Sequence, residues 1–244
     1  MNQQNSNKMH RLIILLALLS NVAHAEPTTV IHVLNWHFVS LDDFAADLKA
    51  NTGKPLTDDQ IKEKYWAFQD DLKAIQNQQI VLLRQLIKKH KLKSVYIEGL
   101  TEKNKKEVMG AIESLKEYEK NKADPNWSPP LSRGFLELFA RQDKLELGAA
   151  GQLVVKGELD TLLPAEDSKA FEVANPVRSD GKVIFDKMAD ERREDAIVSN
   201  LLKGSGVVVI VLGEDHDLTD NIKRLGPSVE YRRVGVPKAH AKKP

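Results

Sequence analysis

Short apolar runs alternate along this chain with longer segments in which apolar residues recur every three or four positions. Short runs rich in β-branched residues are typical of strands, whereas the wider spacing is typical of amphipathic helices. The predicted strands are TTVIHVLNWHFV (28–39), KSVYIEGL (93–100), AAGQLVVKGEL (149–159), GVVVIVLG (206–213) and SVEYRRVGV (228–236). The run at 206–213 is apolar on both faces, which indicates a central strand of a parallel sheet.

Helical segments separate these strands. Helices are predicted from Thr57 to His90, at 102–120, at 132–144 and at 186–204. Thr57 followed by two Asp residues is a good N-cap and first turn, and Lys203-Gly204 is a normal helix end. Strands separated by helices predict an α/β fold, a mostly parallel sheet with helices on both faces. The long helices of the middle region predict a helical insertion at about 57–145.

The N-terminus has the pattern of a secretory signal peptide. Lys8 and Arg11 precede the apolar segment Leu12–Leu19, and small residues follow at Ala23 and Ala25. A basic region, a short apolar core and an A-x-A ending predict cleavage after Ala25. A membrane anchor is the alternative, but these eight apolar residues are too few to span a bilayer. The predicted organisation is a signal peptide at 1–25, a single α/β domain at 26–236 and a disordered basic tail at 237–244.

The mature chain is accordingly expected to be exported to the periplasm or the extracellular space, with no stable membrane span. The full chain of 244 residues has a net charge of +1 and scattered basic residues, so no nucleic-acid partner is predicted. Cysteine is absent, which excludes disulfides, thiol nucleophiles and Cys-ligated zinc. No GxGxxG, Walker or G-x-S-x-G pattern occurs, so neither a nucleotide cofactor nor an ordinary serine-hydrolase site is predicted.

Three predicted strands are followed at once by residues that carry chemistry. The apolar part of the first strand, Val30–Leu34, is followed by Asn35-Trp36-His37, and that of the second, Val95–Ile97, is followed by Glu98. The apolar run Val207–Leu212 is followed by Gly213-Glu214-Asp215-His216. Ligands bind at the carboxyl ends of strands in such sheets, so these side chains are expected to meet at one edge. Two histidines and a carboxylate form either a metal site or a general acid/base pair. The alternative is a local role for each, with the histidines capping turns and Glu98 paired with a lysine.

Other polar residues have simpler interpretations. His32 lies inside the first strand and is interpreted as structural, and Ser40 is interpreted as a helix N-cap. Asp215 is either a partner of His216 or a solvated loop charge. Glu166 lies just after a proline, where the favoured interpretation is the acidic loop of a β-hairpin. The alternative is that this loop reaches the pocket and supplies another carboxylate.

Four segments carry a resemblance to a known superfamily. VIHVLNWHFVS, SVYIEGL, DERREDAIVSNLL and VVVIVLGEDHDL occur in the order of its motifs and extend over nearly the whole mature chain. The superfamily includes the TraB-type and GumN-type proteins, the ChaN-like haem-binding lipoproteins, the TIKI membrane proteases and the erythromycin-esterase-like enzymes. The resembling positions are His37 and Ser40, Glu98, Arg193-Glu194 with Ile197, and Gly213 with His216.

The sequence departs from the family pattern in two places. Asn35 stands where a glycine often precedes the first histidine, and Glu194 stands where Asp or Asn is usual. The register of the segment ERRED also leaves Arg192 and Glu191 as rival assignments to the arginine motif.

The resemblance implies a pocket lined by His37, Glu98, Arg193 and His216. It implies a hydrolase of the metal-dependent protease or esterase type, acting on a small-molecule or peptide substrate. The histidines and Glu98 would either hold a divalent metal (Mn, Co or Zn) that activates water or position water directly. Arg193 would clamp a carboxylate or stabilise an oxyanion.

The alternative function is a haem- or metal-binding protein that uses the same histidines without turnover. Haem pockets are usually rich in aromatic residues, and only Trp36 and Phe38 adjoin the histidines in sequence. The hydrolase is therefore the favoured interpretation, and the sequence leaves the oligomeric state open.

Overall fold

The computed structural model describes residues 27–52, 55–124, 126–127, 130–176 and 184–237. The predicted signal peptide, and the predicted basic tail apart from Pro237, lie outside these residues. One sheet contains the strands β1 (Pro27–Asn35), β2 (Ser94–Ile97), β3 (Thr161–Pro164), β4 (Gly206–Gly213) and β5 (Glu230–Val234). All neighbouring strands are parallel, in the order β3-β2-β4-β1-β5, so the apolar strand β4 is central as predicted.

The helices in the described residues are α1 (Leu41–Asn51), α2 (Asp58–His90), α3 (Lys105–Asn121), α4 (Pro130–Val155), α5 (Ser168–Ala174), α6 (Lys187–Leu201) and α7 (Thr219–Leu225). Ser40 caps α1 by accepting a hydrogen bond from the backbone N–H of Asp43, and Thr57 forms a capping box with Gln60 at the start of α2. Both N-caps predicted from the sequence are confirmed. No helix in the described part of the chain is long and apolar enough to cross a bilayer.

Helices cover both faces of the sheet, which confirms the predicted α/β fold. Successive side chains of a strand point to opposite faces, and alternate residues of β4 accordingly belong to two separate cores. Val209 and Val211 pack in one core with buried residues of α2, α3 and α4. Ile210 and Leu212 pack in the other core with buried residues of α6 and α7.

One predicted strand is wrong, because the chain is helical from 149 to 155 and the next strand begins only at Thr161. Gly148, with a φ of 63°, forms a kink in α4 just before this segment. The buried positions of this segment are Ala149, Ala150, Leu153 and Val154, which follow the spacing of one helix face. The valines favour a strand locally, but packing of the whole apolar face against the sheet outweighs that preference. A turn at Gly157 with a φ of 70° follows the helix, and the actual strand β3 begins at Thr161.

The range 57–145, predicted as a helical insertion, contains β2, so its helices belong to two crossovers of the main sheet. Part of α2 nevertheless extends beyond the sheet. Nε2 of Gln79 donates a hydrogen bond of 2.8 Å to the backbone oxygen of Leu34, which places this position level with the end of β1. At about 1.5 Å per residue, residues 58–78 form a segment roughly 30 Å long on the N-terminal side of this contact.

Helix α1 and the projecting half of α2 form a helical hairpin beside the strand ends, called the cap hairpin below (residues 41–52 and 55–78). Its own small core contains Phe44, Leu48, Ile61 and Tyr65. The rings of Phe44 and Phe68 lie 5.4 Å apart between centroids, which ties the two helices together. The cap hairpin therefore forms a wall next to the carboxyl edge of the sheet.

Candidate active site

The side chains predicted from three strand ends meet at the carboxyl edge of the sheet. The connection that follows β2 covers one face and the connection that follows β4 covers the other, which leaves a crevice between these neighbouring strands. His37 follows β1, Glu98 follows β2 and His216 lies in the turn after β4. The structure brings these three residues together and adds Arg193 from α6.

Glu98 lies at the centre of the site, with 11% of its side chain exposed. Its Oε2 lies 3.0 Å from Nε2 of His37 and accepts a hydrogen bond of 2.7 Å from the backbone N–H of Gly213. Its Oε1 accepts a hydrogen bond of 2.9 Å from Nη2 of Arg193 and lies 3.3 Å from Nε2 of His216. Each carboxylate oxygen thus faces two nitrogen atoms, which fixes the position of the group.

These contacts set the charges of the site. Burial alone would raise the pKa of Glu98, but hydrogen bonds from His216 and His37 outweigh it and hold that pKa well below its usual range. The bond to Glu98 raises the pKa of His37 in turn. Bonds to Glu194 and Glu98 raise the pKa of His216 to about 9. The imidazole of His216 therefore carries a positive charge at neutral pH.

His216 is held through both of its ring nitrogens. Nδ1 lies 2.9 Å from Oε1 of Glu194, and Nε2 lies 3.3 Å from Oε1 of Glu98. A charged imidazole has two N–H donors, so each nitrogen donates to one carboxylate. Glu194 is the carboxylate bonded to Nδ1, whereas Asp215 is exposed at the rim of the cavity described below.

Arg193 anchors the site from beneath. Its guanidinium donates to Oε1 of Glu166 from Nη2 at 2.6 Å and to Oε2 of Glu166 from Nε at 3.1 Å, while the same Nη2 also bonds Glu98. The guanidinium also lies 5.1 Å above the ring of Phe171. Arg192 is exposed, so the structure assigns the arginine of the site to Arg193. The rival Glu191 bonds Arg224 instead.

Glu166 supplies a further buried carboxylate, which corrects the favoured interpretation of an acidic hairpin loop. β3 runs parallel to β2, so the chain that follows it reaches the same edge as Glu98 and does not turn back as a hairpin. The Glu166 side chain is completely buried. The role of Glu166 was missed because the third strand was predicted at 149–159, too early in the chain. The sequence feature that could have indicated it is Pro164 followed closely by two acidic residues, of which Asp167 caps α5.

His32 has the structural role predicted for it. The residue is completely buried, with Nδ1 at 2.7 Å from the hydroxyl of Tyr231 and Nε2 at 2.9 Å from the backbone oxygen of Leu212. Burial lowers the pKa of His32, so the neutral form is favoured. Both nitrogens are occupied, which leaves His32 to support β4 and β5 from below the site.

A cavity of about 740 Å³ opens between the site and the cap hairpin, and is called the site cavity below. His37, Glu98, Gly213 and His216 line its base. Its apolar wall consists of Trp36, Val39, Phe44, Ala67 and Phe68. Phe44 and Phe68 were not associated with the histidines by sequence, because they are distant along the chain and reach the site only through the fold.

Gly213 lies where the chain segments that carry His37 and Glu98 come close to the end of β4. A Cβ atom at this position would lie 2.9 Å from Nε2 of His37 and 3.3 Å from Oε2 of Glu98. We expect Gly213→Ala to break the contact between His37 and Glu98, and to lower both the stability and any activity of the protein. The matched control is Gly110→Ala, where an added Cβ meets nothing within 4 Å.

The Gly110→Ala variant is expected to gain about 0.5–1 kcal/mol in unfolding free energy, because alanine is the better helix former. Urea unfolding of both variants, with a histidine NMR titration of His37, measures the effect. An unchanged His37 titration and unchanged stability in Gly213→Ala would contradict the described geometry.

The predicted metal ligands are not arranged as a metal-binding group. Within the part of the chain that the structure describes, no set of three or more His, Cys, Asp or Glu side chains has the geometry to hold a metal ion. The guanidinium of Arg193 bonds Oε1 of Glu98 and lies 3.4 Å from Nε2 of His216. A metal held by His37, Glu98 and His216 would have to displace these contacts, and metal binding remains a prediction.

The site contains a buried Arg193–Glu166 ion pair and, at its centre, Glu98. Of its two histidines, His37 has 53% of its side chain exposed and His216 has 19%. Comparisons of the chain with protein-family models, with curated proteins and with solved structures give no match.

Proposed function

We propose that this protein is an exported hydrolase that cleaves an ester or amide bond by general-base catalysis at His37. The observation that carries the proposal is the pair formed by Nε2 of His37 and Oε2 of Glu98, 3.0 Å apart at the base of the site cavity. A histidine oriented by a fixed carboxylate and open to a cavity is an arrangement that can remove a proton from water. The resemblance to the TraB-type and erythromycin-esterase-like proteins supports the same class.

The tautomer of His37 follows from its partner. Glu98 is ionised, so Nε2 of His37 carries the proton donated to it, and Nδ1 is the basic nitrogen. With 53% of the side chain exposed, a water molecule can reach that nitrogen. His37 Nδ1 accepts a proton from the water as the water oxygen forms a bond to the carbonyl carbon of the substrate.

The remaining steps use the same residues. The carbonyl oxygen gains a negative charge in the tetrahedral intermediate. The positive charge of His216 at the cavity base stabilises it through space, because both ring N–H groups of His216 are donated to carboxylates. His37 then returns its proton to the leaving oxygen or nitrogen as the bond to the carbonyl carbon breaks. The products are a carboxylic acid and an alcohol or amine. Arg193 keeps Glu98 in place throughout, and Glu194 holds His216.

The test is a hydrolysis screen with the protein from Glu26 onward, using ester and peptide panels, with and without EDTA. We expect turnover by the wild type that persists in EDTA and is lost in His37→Ala, because the general base is then removed. His90→Ala is the control, since His90 ends helix α2 far along the chain from the site. Turnover that requires added Mn, Co or Zn would favour the metal-dependent mechanism, and no turnover on any panel would contradict the proposal.

A haem-binding protein is the second candidate, and the wall of the site cavity favours it. Trp36, Phe44 and Phe68 supply the aromatic surface that the sequence did not indicate, and His37 lies beside them as an exposed nitrogen ligand. An absorbance titration with haem tests this candidate. A stoichiometric band lost in both His37→Ala and Phe68→Ala would support it.

A further inference from the structure

We infer that the site cavity selects substrates that carry a positively charged group on an apolar body, such as esters or amides whose apolar part also bears an ammonium group. This inference rests on the proposed function, because it names the substrate class of the same site. It is carried by the apolar wall of the cavity, by the sign of the charges around it, and by the burial of the arginine that would otherwise receive an anion.

The cap hairpin presents an aromatic ring and a carboxylate one helical turn apart on each of its helices. Phe44 and Asp47 are three residues apart on α1, and Phe68 and Asp71 are three residues apart on α2. Residues at this spacing lie on the same face of a helix. All four line the site cavity, so both helices turn the same combination of groups toward it.

Among the described residues that line the cavity, acidic groups outnumber basic ones. The carboxylates in its lining beyond Glu98 are Asp47, Asp71, Glu214 and Asp215, and the lining lysine is Lys64. At the base, the charge of Glu98 is balanced by that of His216. The field over the rim is therefore negative, which attracts a cation and opposes an anionic substrate.

Arg193 does not serve as an anion receptor here. Its guanidinium is bonded to Glu166 and Glu98, and 12% of the side chain is exposed. The sequence expectation that this arginine clamps a substrate carboxylate therefore has no geometric support, since both of its neighbours are carboxylates of the protein. An anionic substrate would meet the negative rim without a free guanidinium to bind.

An ammonium group next to an aromatic face is attracted by the ring as well as by a carboxylate. In the site cavity, Phe68 and Asp71 place these two groups within one turn of α2. The apolar body of a ligand can contact the wall while its carbonyl lies at the base near His37. The reaction is the one proposed above, with water adding to the carbonyl carbon and the alcohol or amine leaving.

The experiment compares unreactive probes of matched shape by calorimetry on the full mature chain. The probes are phenyltrimethylammonium, its neutral isostere tert-butylbenzene and the anion benzenesulfonate. We expect the cation to bind roughly ten-fold more tightly than the neutral probe, from combined ring and carboxylate attraction. Benzenesulfonate is expected to bind weakest.

Variants assign the effect to the cavity. Asp71→Asn should weaken binding of the cation about five-fold and leave the neutral probe unchanged, because it removes charge and keeps size. Phe68→Ala should weaken both probes. Glu63→Gln is the control, since this exposed residue of α2 does not line the cavity. Equal binding of the cation and the neutral probe, or no effect of Asp71→Asn, would overturn the inference.

The proposed hydrolase activity and the proposed selectivity for cations can be refuted independently of each other. Selective cation binding without turnover of any ester or amide would refute the hydrolase and leave the selectivity of the cavity in place. Hydrolysis that prefers neutral or anionic esters over cationic ones would refute the selectivity and leave the hydrolase in place.

Discussion

Arg193→Met is expected to lower the free energy of unfolding by about 3–5 kcal/mol, because it leaves a buried charge without a partner. Glu166 is completely buried, and its carboxylate oxygens bond the Nε and Nη2 atoms of Arg193. Methionine keeps much of the length and the packing on Phe171 but donates no hydrogen bond. Urea unfolding of the variant and the wild type measures the difference.

The neighbouring arginine provides the matched control for this prediction. Arg192 is exposed, and Arg192→Met is expected to change the unfolding free energy by less than about 0.5 kcal/mol. The double variant Arg193→Met/Glu166→Met should recover much of the loss, because the completely buried charge of Glu166 is then removed together with its partner. Equal costs for Arg192→Met and Arg193→Met would mean that the arginine of the site has been assigned to the wrong position.

Glu98→Gln is expected to reduce hydrolysis by a factor on the order of 10²–10⁴, since a neutral amide lacks the negative charge that makes His37 more basic and stabilises its protonated form. Glutamine still accepts the hydrogen bond from the backbone N–H of Gly213, so the local fold has a means of surviving. Rates on whichever ester or amide the screen identifies, with unfolding curves for each variant, separate lost chemistry from lost structure. Glu102→Gln is the control, because this side chain is 79% exposed.

The pH profile supplies an independent readout of the same substitution. The mechanism needs neutral His37, so the rate should rise with pH through the pKa of this residue. Glu98 raises that pKa, and removing its charge lets the pKa fall toward its ordinary value of about 6.5. The acid limb of the profile should therefore move to lower pH in Glu98→Gln. A retained rate with an unmoved acid limb would contradict the role given to the pair.

Several features of the site were accessible from local sequence. An apolar strand that ends on a glycine, or a β-branched strand that ends on a histidine or glutamate, places a polar side chain at the carboxyl edge. This reasoning selected His37, Glu98 and His216. In the structure, Nε2 of His37 lies 3.0 Å from one carboxylate oxygen of Glu98, and Nε2 of His216 lies 3.3 Å from the other. The N-caps Ser40 and Thr57 were likewise predictable from the sequence, because an N-cap depends on residues within one helical turn.

Other features depend on contacts between distant segments. Glu166 lies in the site because β3 pairs in parallel with β2. This pairing was missed from the sequence, because the segment 149–155, which is helical, has the local pattern of a strand. Phe44 and Phe68 reach the cavity because α2 projects beyond the sheet and α1 folds back on it. Neither arrangement leaves a local pattern, since both follow from the position of whole elements.

Local sequence patterns were enough to predict which side chains follow the strand ends, because strand and cap patterns extend over only a few residues. Tertiary structure decided which charges pair with them. It selected Arg193 over Arg192, buried Glu166 beneath it, and placed a guanidinium against both Glu98 and His216. The physical reason is that pairing and burial are set by the packing of α6 and β3 against the sheet edge, and such packing is a property of the whole chain.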